Sequence, residues 1–356
     1  MLLTEKYYSH LMNKIVACLV VDKKMMLTIN IDSMFHKYLN EHLFGETFFV
    51  PATFIVELMF EVCYCYCESI LKKDGDKLKP LNMKGLDIMR GLKRLPGGNL
   101  DTTFEVELKK EDKGELYLEV KITSERINKA GDTVGVLVNA ESEVVLTENQ
   151  IEVPKFQPET INLIKYGFSK EIMYHTFFPR LGYHFQTCLG GIEMDREKNH
   201  LFAIYNCENK EISCITGIAS DFITSPLGND ACLQYAVLLS RLTNGIGRLP
   251  ISAADIQFYR KSSVEGNVCV YIEKLYIDEE DTEYNITCFD QEGVFVRFNK
   301  LTAHKSPYQE YLTEDMRQGF LNKYAFSPSG DMTVCKAGAW QNKCSTDRDY
   351  GVLSLS

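Results

Sequence analysis

One segment, Phe54–Leu71, constrains the fold of this chain more than any other. It is long enough for about five helical turns, and its only charged residues are three glutamates. A helix that is apolar nearly all round has to be buried inside the protein, so Glu57 within it needs a hydrogen-bonding partner. Pro51 suits the entry to this helix, and Thr53 is its predicted N-cap. The rest of the chain is therefore expected to enclose this helix.

The sequence around this helix predicts an antiparallel sheet. Before the helix, the apolar clusters Ile15–Val21 and Met25–Ile31 flank a short charged turn and are predicted to form a pair of strands. After the helix, apolar and polar residues alternate, which is typical of a sheet with one covered face. The predicted strands there are Met83–Leu92, Asp101–Lys109, Leu116–Ser124 and Thr133–Leu146. A sheet of this size around one buried helix is the arrangement called a hotdog.

The second half of the chain repeats this plan with different residues. A second apolar helix is predicted from about Asn229 to Leu242, after Pro226 and before Gly245, a residue suited to ending a helix. Strands are predicted on both sides of it, at Gly190–Met194, Leu201–Cys207, Phe222–Thr224, Ala254–Tyr259, Gly266–Ile277, Tyr284–Phe289 and Val294–His304. We therefore predict an α+β double hotdog, in which two antiparallel sheets each wrap around a long buried helix.

These patterns divide the chain into four parts. They are an N-terminal hotdog at residues 1–152, a proline-containing linker at 153–165, a C-terminal hotdog at 166–307 and a tail at 308–356. The tail shows no strong periodicity, and we assign no role to it. A chain of 356 residues is long enough to give both units a proper core.

Composition and charge exclude several classes of protein. The net charge of −10 argues against a general nucleic-acid binder, which normally carries a basic face. The apolar run Ile15–Val21 is far too short to span a bilayer, and no signal-peptide cleavage site is visible after Met1. The 12 cysteines are scattered and include no Cys-x-x-Cys pair. We therefore expect reduced cysteines, no membrane insertion and a cytoplasmic location.

A histidine motif precedes the first helix. His42 and Pro51 have the separation of the pattern His-x-x-x-Gly-x-x-x-x-Pro. The glycine is displaced, because Gly45 lies early and Glu46 occupies the glycine position. A histidine at the entrance to a buried helix is well placed to act as a general base.

Three further motifs lie in the second half. Residues 182–189 follow the pattern Gly-Tyr-x-Tyr-Gly-Pro-x-Phe only in outline, with Tyr183 matched and Phe185 in place of the second tyrosine. Asp230 and Gln234 complete an Asp-x-x-x-Gln motif at the start of the second helix. A Leu-Pro pair at 249–250 precedes a predicted strand, as in the pattern Leu-Pro-Phe.

In these four places the sequence resembles the dehydratase domains of polyketide synthases, which are related to fatty acid synthase dehydratases. The resemblance implies dehydration of a 3-hydroxyacyl thioester on an acyl carrier protein to the trans-2-enoyl thioester. His42, from the first hotdog, would be the general base. Asp230, from the second, would be the general acid, held partly protonated by an apolar tunnel. Gln234, one helical turn further on, would orient the carboxyl group of Asp230.

The resemblance also predicts substrate contacts and partners. Backbone N–H groups around Ala52 to Phe54 are expected to stabilise the charge that develops on the thioester oxygen. The predicted substrate-binding residues are Pro51, Ala52, Thr53, Phe54, Tyr183 and Phe185. The substrate would arrive on the phosphopantetheine arm of an acyl carrier protein that binds in trans, and no metal or redox cofactor is required. Other polyketide or fatty acid synthase components, and a second copy of the chain in a homodimer, are the remaining expected partners.

Two alternatives keep the same fold. One is a different reaction with the same base, either double-bond isomerisation or the aldol cyclisation of the similar product-template domains. The other is an inactive hotdog that binds acyl chains or serves as an assembly scaffold. The changes at Gly45 and Phe185 favour this second alternative, and the presence of both His42 and Asp230 opposes it.

Overall fold

The computed structural model describes residues 15–31, 37–44, 47–94, 100–127, 132–158, 162–206, 222–261, 267–307 and 311–326. Gly45 and Glu46, where the sequence departs from the histidine motif, lie outside the described residues, as does most of the predicted tail.

The first half contains the predicted long helix among antiparallel strands. Helix α1 spans Ala52–Tyr66 and continues as a π-helical turn through Leu71, which confirms the predicted helix. Alternate residues of the second strand are buried, as a sheet with one covered face requires. The strands are β1 (Ile15–Val21), β2 (Lys24–Ile31), β3 (Leu43–Phe44), β4 (Thr47–Phe49), β5 (Lys79–Asp87), β6 (Lys93–Arg94), β7 (Leu100–Asp112), β8 (Glu115–Ile127) and β9 (Thr133–Thr147).

The start of α1 differs from the prediction, because Pro51 and not Thr53 is the N-cap. The carbonyl of Pro51 accepts hydrogen bonds from the N–H groups of Phe54 and Ile55, both at 3.0 Å. The φ of proline is fixed at a value that suits this position. Thr53 is consequently buried within the first helical turn.

The second half has the same plan. Its described residues before β13 form α2 (Lys170–Thr176) and the long, buried α3 (Pro226–Asn244), and α3 confirms the helix predicted there. Gly245 ends α3 with a φ of 81°, a conformation that glycine adopts at little cost. The strands are β10 (Ile164–Tyr166), β11 (Ile192–Met194), β12 (His200–Tyr205), β13 (Arg248–Phe258), β14 (Val268–Ile277), β15 (Asp281–Asp290) and β16 (Gly293–Lys305).

The strands of both halves belong to one continuous sheet, which corrects the expectation of two separate sheets. Its 13 antiparallel strands run in the order β1-β2-β7-β8-β9-β5-β13-β16-β15-β14-β12-β11-β10. The two halves join where β5 pairs with β13, for example Met83 with Ile256. Such pairing satisfies backbone groups that an exposed sheet edge would leave open. The short strands β3, β4 and β6 form a separate sheet beside the start of α1.

Glu57 joins the two halves a second time. Its carboxylate, on α1, accepts hydrogen bonds from the backbone N–H of Ile223 at 2.6 Å and of Thr224 at 2.7 Å. The Thr224 hydroxyl donates to the same carboxylate. These bonds give the buried charge its partners and fix the segment that enters α3. The predicted strand at Phe222–Thr224 is therefore wrong, since its backbone pairs with a side chain.

In the described part of the chain, two helices were not predicted, α2 and α4 (Glu314–Tyr324), the latter inside the segment predicted to be a tail. Each begins with a capping side chain, Ser169 for α2 and Thr313 for α4. The ring of Phe320 on α4 packs edge-on against Phe177, with centroids 4.9 Å apart. Part of the tail is therefore attached to the C-terminal half.

Among the described residues, the cysteines follow the prediction with one exception. Cys18, Cys63, Cys65, Cys67, Cys188, Cys232 and Cys288 are free thiols. Cys269 is in a disulfide bond, so the expectation of a reduced thiol is wrong for this residue. Disulfide formation requires two sulfur atoms to meet with specific geometry, which the spacing of scattered cysteines does not reveal.

Candidate active site

His42 is fixed at the junction of the two halves. Its backbone forms an isolated antiparallel bridge with Leu181, from the C-terminal half. Its Nδ1 lies 2.9 Å from the carbonyl oxygen of Phe49. Because a carbonyl only accepts, Nδ1 carries the proton, and Nε2 of the neutral ring is left with the lone pair that a base needs. The side chain is buried, with 8% of the residue exposed.

Asp230 and Gln234 lie one turn apart on α3, on the same face. The amide Nε2 of Gln234 donates to Oδ2 of Asp230 at 2.7 Å and to the carbonyl of Phe185 at 2.8 Å. The hydroxyl of Tyr174 donates to Oε1 of Gln234 at 2.8 Å. Both the oxygen and the nitrogen of the Gln234 amide are thus hydrogen-bonded, and these bonds fix its orientation towards Asp230.

His42 and Asp230 line the same cavity, which has a volume of about 560 Å³. Helix α3 contributes one face of this cavity at helical spacing, and α1 contributes Ala52 and Ile55. The α3 residues in the wall are Asp230, Leu233, Gln234, Val237 and Arg241. Exposed Gly91 also lines the cavity, so the cavity reaches solvent beside it. The volume is that of a typical small-molecule site.

Burial shifts the two titratable groups in opposite directions. It lowers the pKa of His42 from 6.5 to about 4, and the hydrogen bond to Phe49 only partly opposes this. It raises the pKa of Asp230 from 3.8 to about 7, against the opposing effect of the hydrogen bond from Gln234. Near neutral pH His42 is therefore neutral, and a large part of Asp230 carries its proton. Two groups whose environments separate their protonation states in this way are suited to acid–base chemistry.

The predicted substrate-binding residues are placed differently from one another. Ala52 lines the cavity. Pro51, Thr53 and Phe54 lie at the start of α1 and are not part of the cavity wall. The N–H of Phe54 is engaged with Pro51 at 3.0 Å, so among the predicted N–H donors Ala52 has the best position.

The two residues of the tyrosine motif also differ. Phe185 is fully buried behind His42, with ring centroids 4.9 Å apart. Tyr183 is 64% exposed and is not part of the cavity wall. Phe185 therefore packs against the ring of His42, and neither Phe185 nor Tyr183 is part of the cavity wall.

Sequence reasoning missed Tyr174, whose hydroxyl fixes Gln234. Tyr174 lies on α2, which the sequence did not predict, and it is 60 residues away from its partner. Its only local signal is its place among aromatic residues just before the tyrosine motif. A pairing over this distance becomes visible only in the folded chain.

The described residues contain no group of three or more His, Cys, Asp or Glu side chains placed to hold a metal ion. None of their helices has the length and apolar character needed to cross a membrane.

Several solved structures that this chain resembles are dehydratase domains. A trans-AT polyketide synthase dehydratase domain from Brevibacillus brevis is 15% identical with a TM-score of 0.63, and the match covers 82% of this chain and 97% of that one. The dehydratase domain of RzxB from Pseudomonas fluorescens is 12% identical with a TM-score of 0.57, and the match covers 81% of this chain and 97% of that one. The dehydratase domain of the CurF module of curacin polyketide synthase is 15% identical with a TM-score of 0.61, and the match covers 82% of this chain and 98% of that one. No protein-family model matches the sequence, and no curated protein matches it.

The chain therefore has the double-hotdog fold of polyketide synthase dehydratase domains. Two other solved structures with this fold are of inactive point mutants. One is the CurJ dehydratase with a histidine replaced by phenylalanine, and the other is the CurK dehydratase with an aspartate replaced by asparagine.

Proposed function

We propose that this protein dehydrates a 3-hydroxyacyl thioester carried on an acyl carrier protein, giving the trans-2-enoyl thioester. The observation that carries the proposal is the pair His42 and Asp230 in one cavity, with the imidazole neutral and the carboxyl group partly protonated. The inactive histidine and aspartate variants of two proteins with this fold support the same pair.

His42 acts as the base. Its Nε2 takes the proton from the α carbon, which the neighbouring thioester carbonyl acidifies. The bond from Nδ1 to Phe49 holds the tautomer in which Nε2 carries no proton, and it can stabilise the imidazolium as that forms. Negative charge then builds on the thioester oxygen. The N–H of Ala52, at the positive end of α1, is the proposed donor to it.

Asp230 acts as the acid. Its proton passes to the β hydroxyl group, the C–O bond breaks, and water leaves as the double bond forms. Asp230 ends as a carboxylate and His42 as an imidazolium, so one proton returned from His42 to Asp230 restores the enzyme. Gln234 keeps the carboxyl group directed at the substrate during this exchange.

The cavity and its surroundings fit a carrier-bound acyl chain. Apolar side chains such as Ile55, Leu233 and Val237 line the space that an acyl chain would occupy. Exposed Arg90 and Lys93 flank Gly91, where the cavity reaches solvent. Carrier proteins are typically acidic, so this pair is the proposed contact for one that binds in trans. The absence of a cofactor, the cytoplasmic location and the homodimer remain predictions.

The proposal is tested by offering a short 3-hydroxyacyl carrier protein and following the loss of water by mass spectrometry. We expect the wild-type protein to dehydrate it, and His42→Ala and Asp230→Asn to lose at least about 100-fold in rate. His304→Ala is the matched control, because His304 is an exposed histidine away from the cavity. Absence of dehydration in the wild type, or full activity in His42→Ala, would remove the proposal. Cyclisation of a poly-β-keto chain, migration of a double bond or acyl binding without turnover would each identify one of the alternatives.

A further inference from the structure

Glu41, the residue before His42, is held by the opposite half of the chain. Its Oε1 lies 2.8 Å from Nδ1 of His184, and its Oε2 accepts the backbone N–H of the same residue at 2.7 Å. Its backbone carbonyl accepts the N–H of Gly182 at 2.9 Å. Both carboxylate oxygens and the main chain of Glu41 are thus bonded to residues 182–184. We call these three residues, Glu41, Gly182 and His184, the latch.

The latch depends on close packing at Gly182. A Cβ atom at this position would lie 2.6 Å from both Cβ and Cγ of Glu41 and 2.8 Å from its Oε2. The atoms it would meet belong to the side chain whose two oxygens are bonded to His184, so that side chain cannot move aside without giving up those bonds. Glycine is therefore required for the approach of the two segments.

The latch is continuous with the restraints on His42. The backbone bridge from His42 to Leu181 directly follows the bond from Glu41 to Gly182. On its other side the imidazole is bonded to Phe49, next to α1. His42 is therefore held between the two halves, and the latch supplies the side-chain contact on the C-terminal side. Neither Glu41 nor His184 is part of the cavity wall, so neither meets the substrate.

We propose that Glu41 and His184 are positioning residues that set the place of His42 relative to Asp230 across the junction of the two halves. This inference rests on the proposed function, in which His42 is the base. Because a displacement of about 1 Å can cost about 100-fold in rate, loss of the latch is expected to slow the chemical step while binding of the substrate is retained.

Steady-state kinetics of Glu41→Ala, His184→Ala and the double variant test this. We expect kcat to fall about 10- to 100-fold with KM changed less than about 3-fold, since only the base moves. We expect the double variant to be no slower than the slower single variant, because either change opens the same latch. Glu41→Gln, which keeps an oxygen for the N–H of His184, is expected to recover part of the loss.

Asp195 and His200 provide a matched control away from the cavity. Asp195 accepts the backbone N–H of His200 at 2.7 Å, and its Oδ2 lies 3.5 Å from Nδ1 of His200. Asp195→Ala removes a similar histidine–carboxylate contact, so it is expected to lower stability and leave kcat unchanged. An equal fall of kcat in Asp195→Ala and Glu41→Ala would show a general effect of destabilisation and overturn the inference. Unchanged kcat in both Glu41→Ala and His184→Ala would overturn it as well.

A second measurement does not depend on activity. Diethyl pyrocarbonate modifies neutral imidazoles, and peptide mapping gives the rate at His42 itself. Opening the latch should raise this rate at least about 5-fold, since only 8% of His42 is exposed in the folded protein, while Asp195→Ala should leave it unchanged. The wild-type protein could fail to dehydrate its substrate while modification of His42 is faster in the latch variants, as expected. In that case the proposed function fails and the latch stands as a restraint on His42. If the rate at His42 does not change in Glu41→Ala, the latch is overturned whatever the activity.

Discussion

The ring of Phe185 packs against the imidazole of His42, with centroids 4.9 Å apart and an angle of 44° between the planes. The carbonyl of the same residue accepts the amide of Gln234, which holds Asp230. One residue of the C-terminal half thus contacts the proposed base through its side chain and the support of the proposed acid through its main chain. In the resembled motif this position is a tyrosine, and here a fully buried phenylalanine provides the packing surface.

The opposite pKa shifts of His42 and Asp230 predict the pH dependence of kcat/KM. The base must be neutral, so the rate should rise as the pH passes about 4, the pKa of His42. The acid must be protonated, so the rate should fall as the pH passes about 7, the pKa of Asp230. A profile measured with a 3-hydroxyacyl pantetheine substrate should therefore be bell-shaped, with its plateau between these values. A rate that keeps rising above pH 8 would contradict Asp230 as the acid.

Replacement of Asp230 should stabilise the protein at alkaline pH. A carboxyl group whose pKa is raised on folding favours the folded state below its unfolded pKa, and this benefit is lost as the pH rises through the folded value. For Asp230 the window runs from 3.8 to about 7, and the shift corresponds to roughly 4 kcal/mol at most. Asp230→Asn should raise the free energy of unfolding at pH 8 by a few kcal/mol, with little change near pH 4. Denaturant titrations at the two pH values measure this, and an equal effect at both would show that ionisation is not the cause.

Tyr174 should matter for activity through Gln234. Tyr174→Phe removes the donor to Oε1 of Gln234, which leaves a buried oxygen with one partner fewer, and about 1–3 kcal/mol of stability should be lost. We expect kcat to fall about 10-fold, since Gln234 then holds Asp230 less firmly, and Gln234→Ala to be at least as slow. Tyr64→Phe is the control, because the hydroxyl of buried Tyr64 donates to the carbonyl of Leu78 at 3.0 Å and Tyr64 does not line the cavity. An equal kcat in the two tyrosine variants would show that Tyr174 has no specific role in the reaction.

The exposed cations beside the cavity should affect only carrier-bound substrate. The double variant Arg90→Glu/Lys93→Glu should have a KM for the carrier-linked substrate that is about 10-fold higher and no longer depends on salt concentration. The reason is that charged contacts of this kind steer association. With a pantetheine-linked substrate KM should stay unchanged. Lys77→Glu is the control, since Lys77 is 70% exposed and does not line the cavity. A similar rise of KM for both substrates would place the effect in the cavity and not in docking.

Much of this protein follows from the sequence itself, because its strongest signals are local. The apolar segment Phe54–Leu71 and the helix after Pro226 form helices as predicted, since a helix shows its buried character over a few turns. The alternating strands are confirmed for the same reason, with ends that differ by a few residues. The spacings of His42 to Pro51 and of Asp230 to Gln234 were also visible along the chain, and the fold brings both motifs to one cavity.

Other features were decided by the tertiary structure alone. The pairing of β5 with β13 joins the strands of both halves into one sheet. The backbone partners of Glu57, and the tyrosine that donates to Gln234, lie 60 or more residues away from them. The protonation states of His42 and Asp230 depend on burial by both halves together, because desolvation is the first cause of each shift. The sequence by itself determined the two long helices and most of the strands, and it indicated His42 and Asp230 as the proposed acid–base pair. How those residues are held and charged depends on contacts between distant segments, and these exist only in the folded chain.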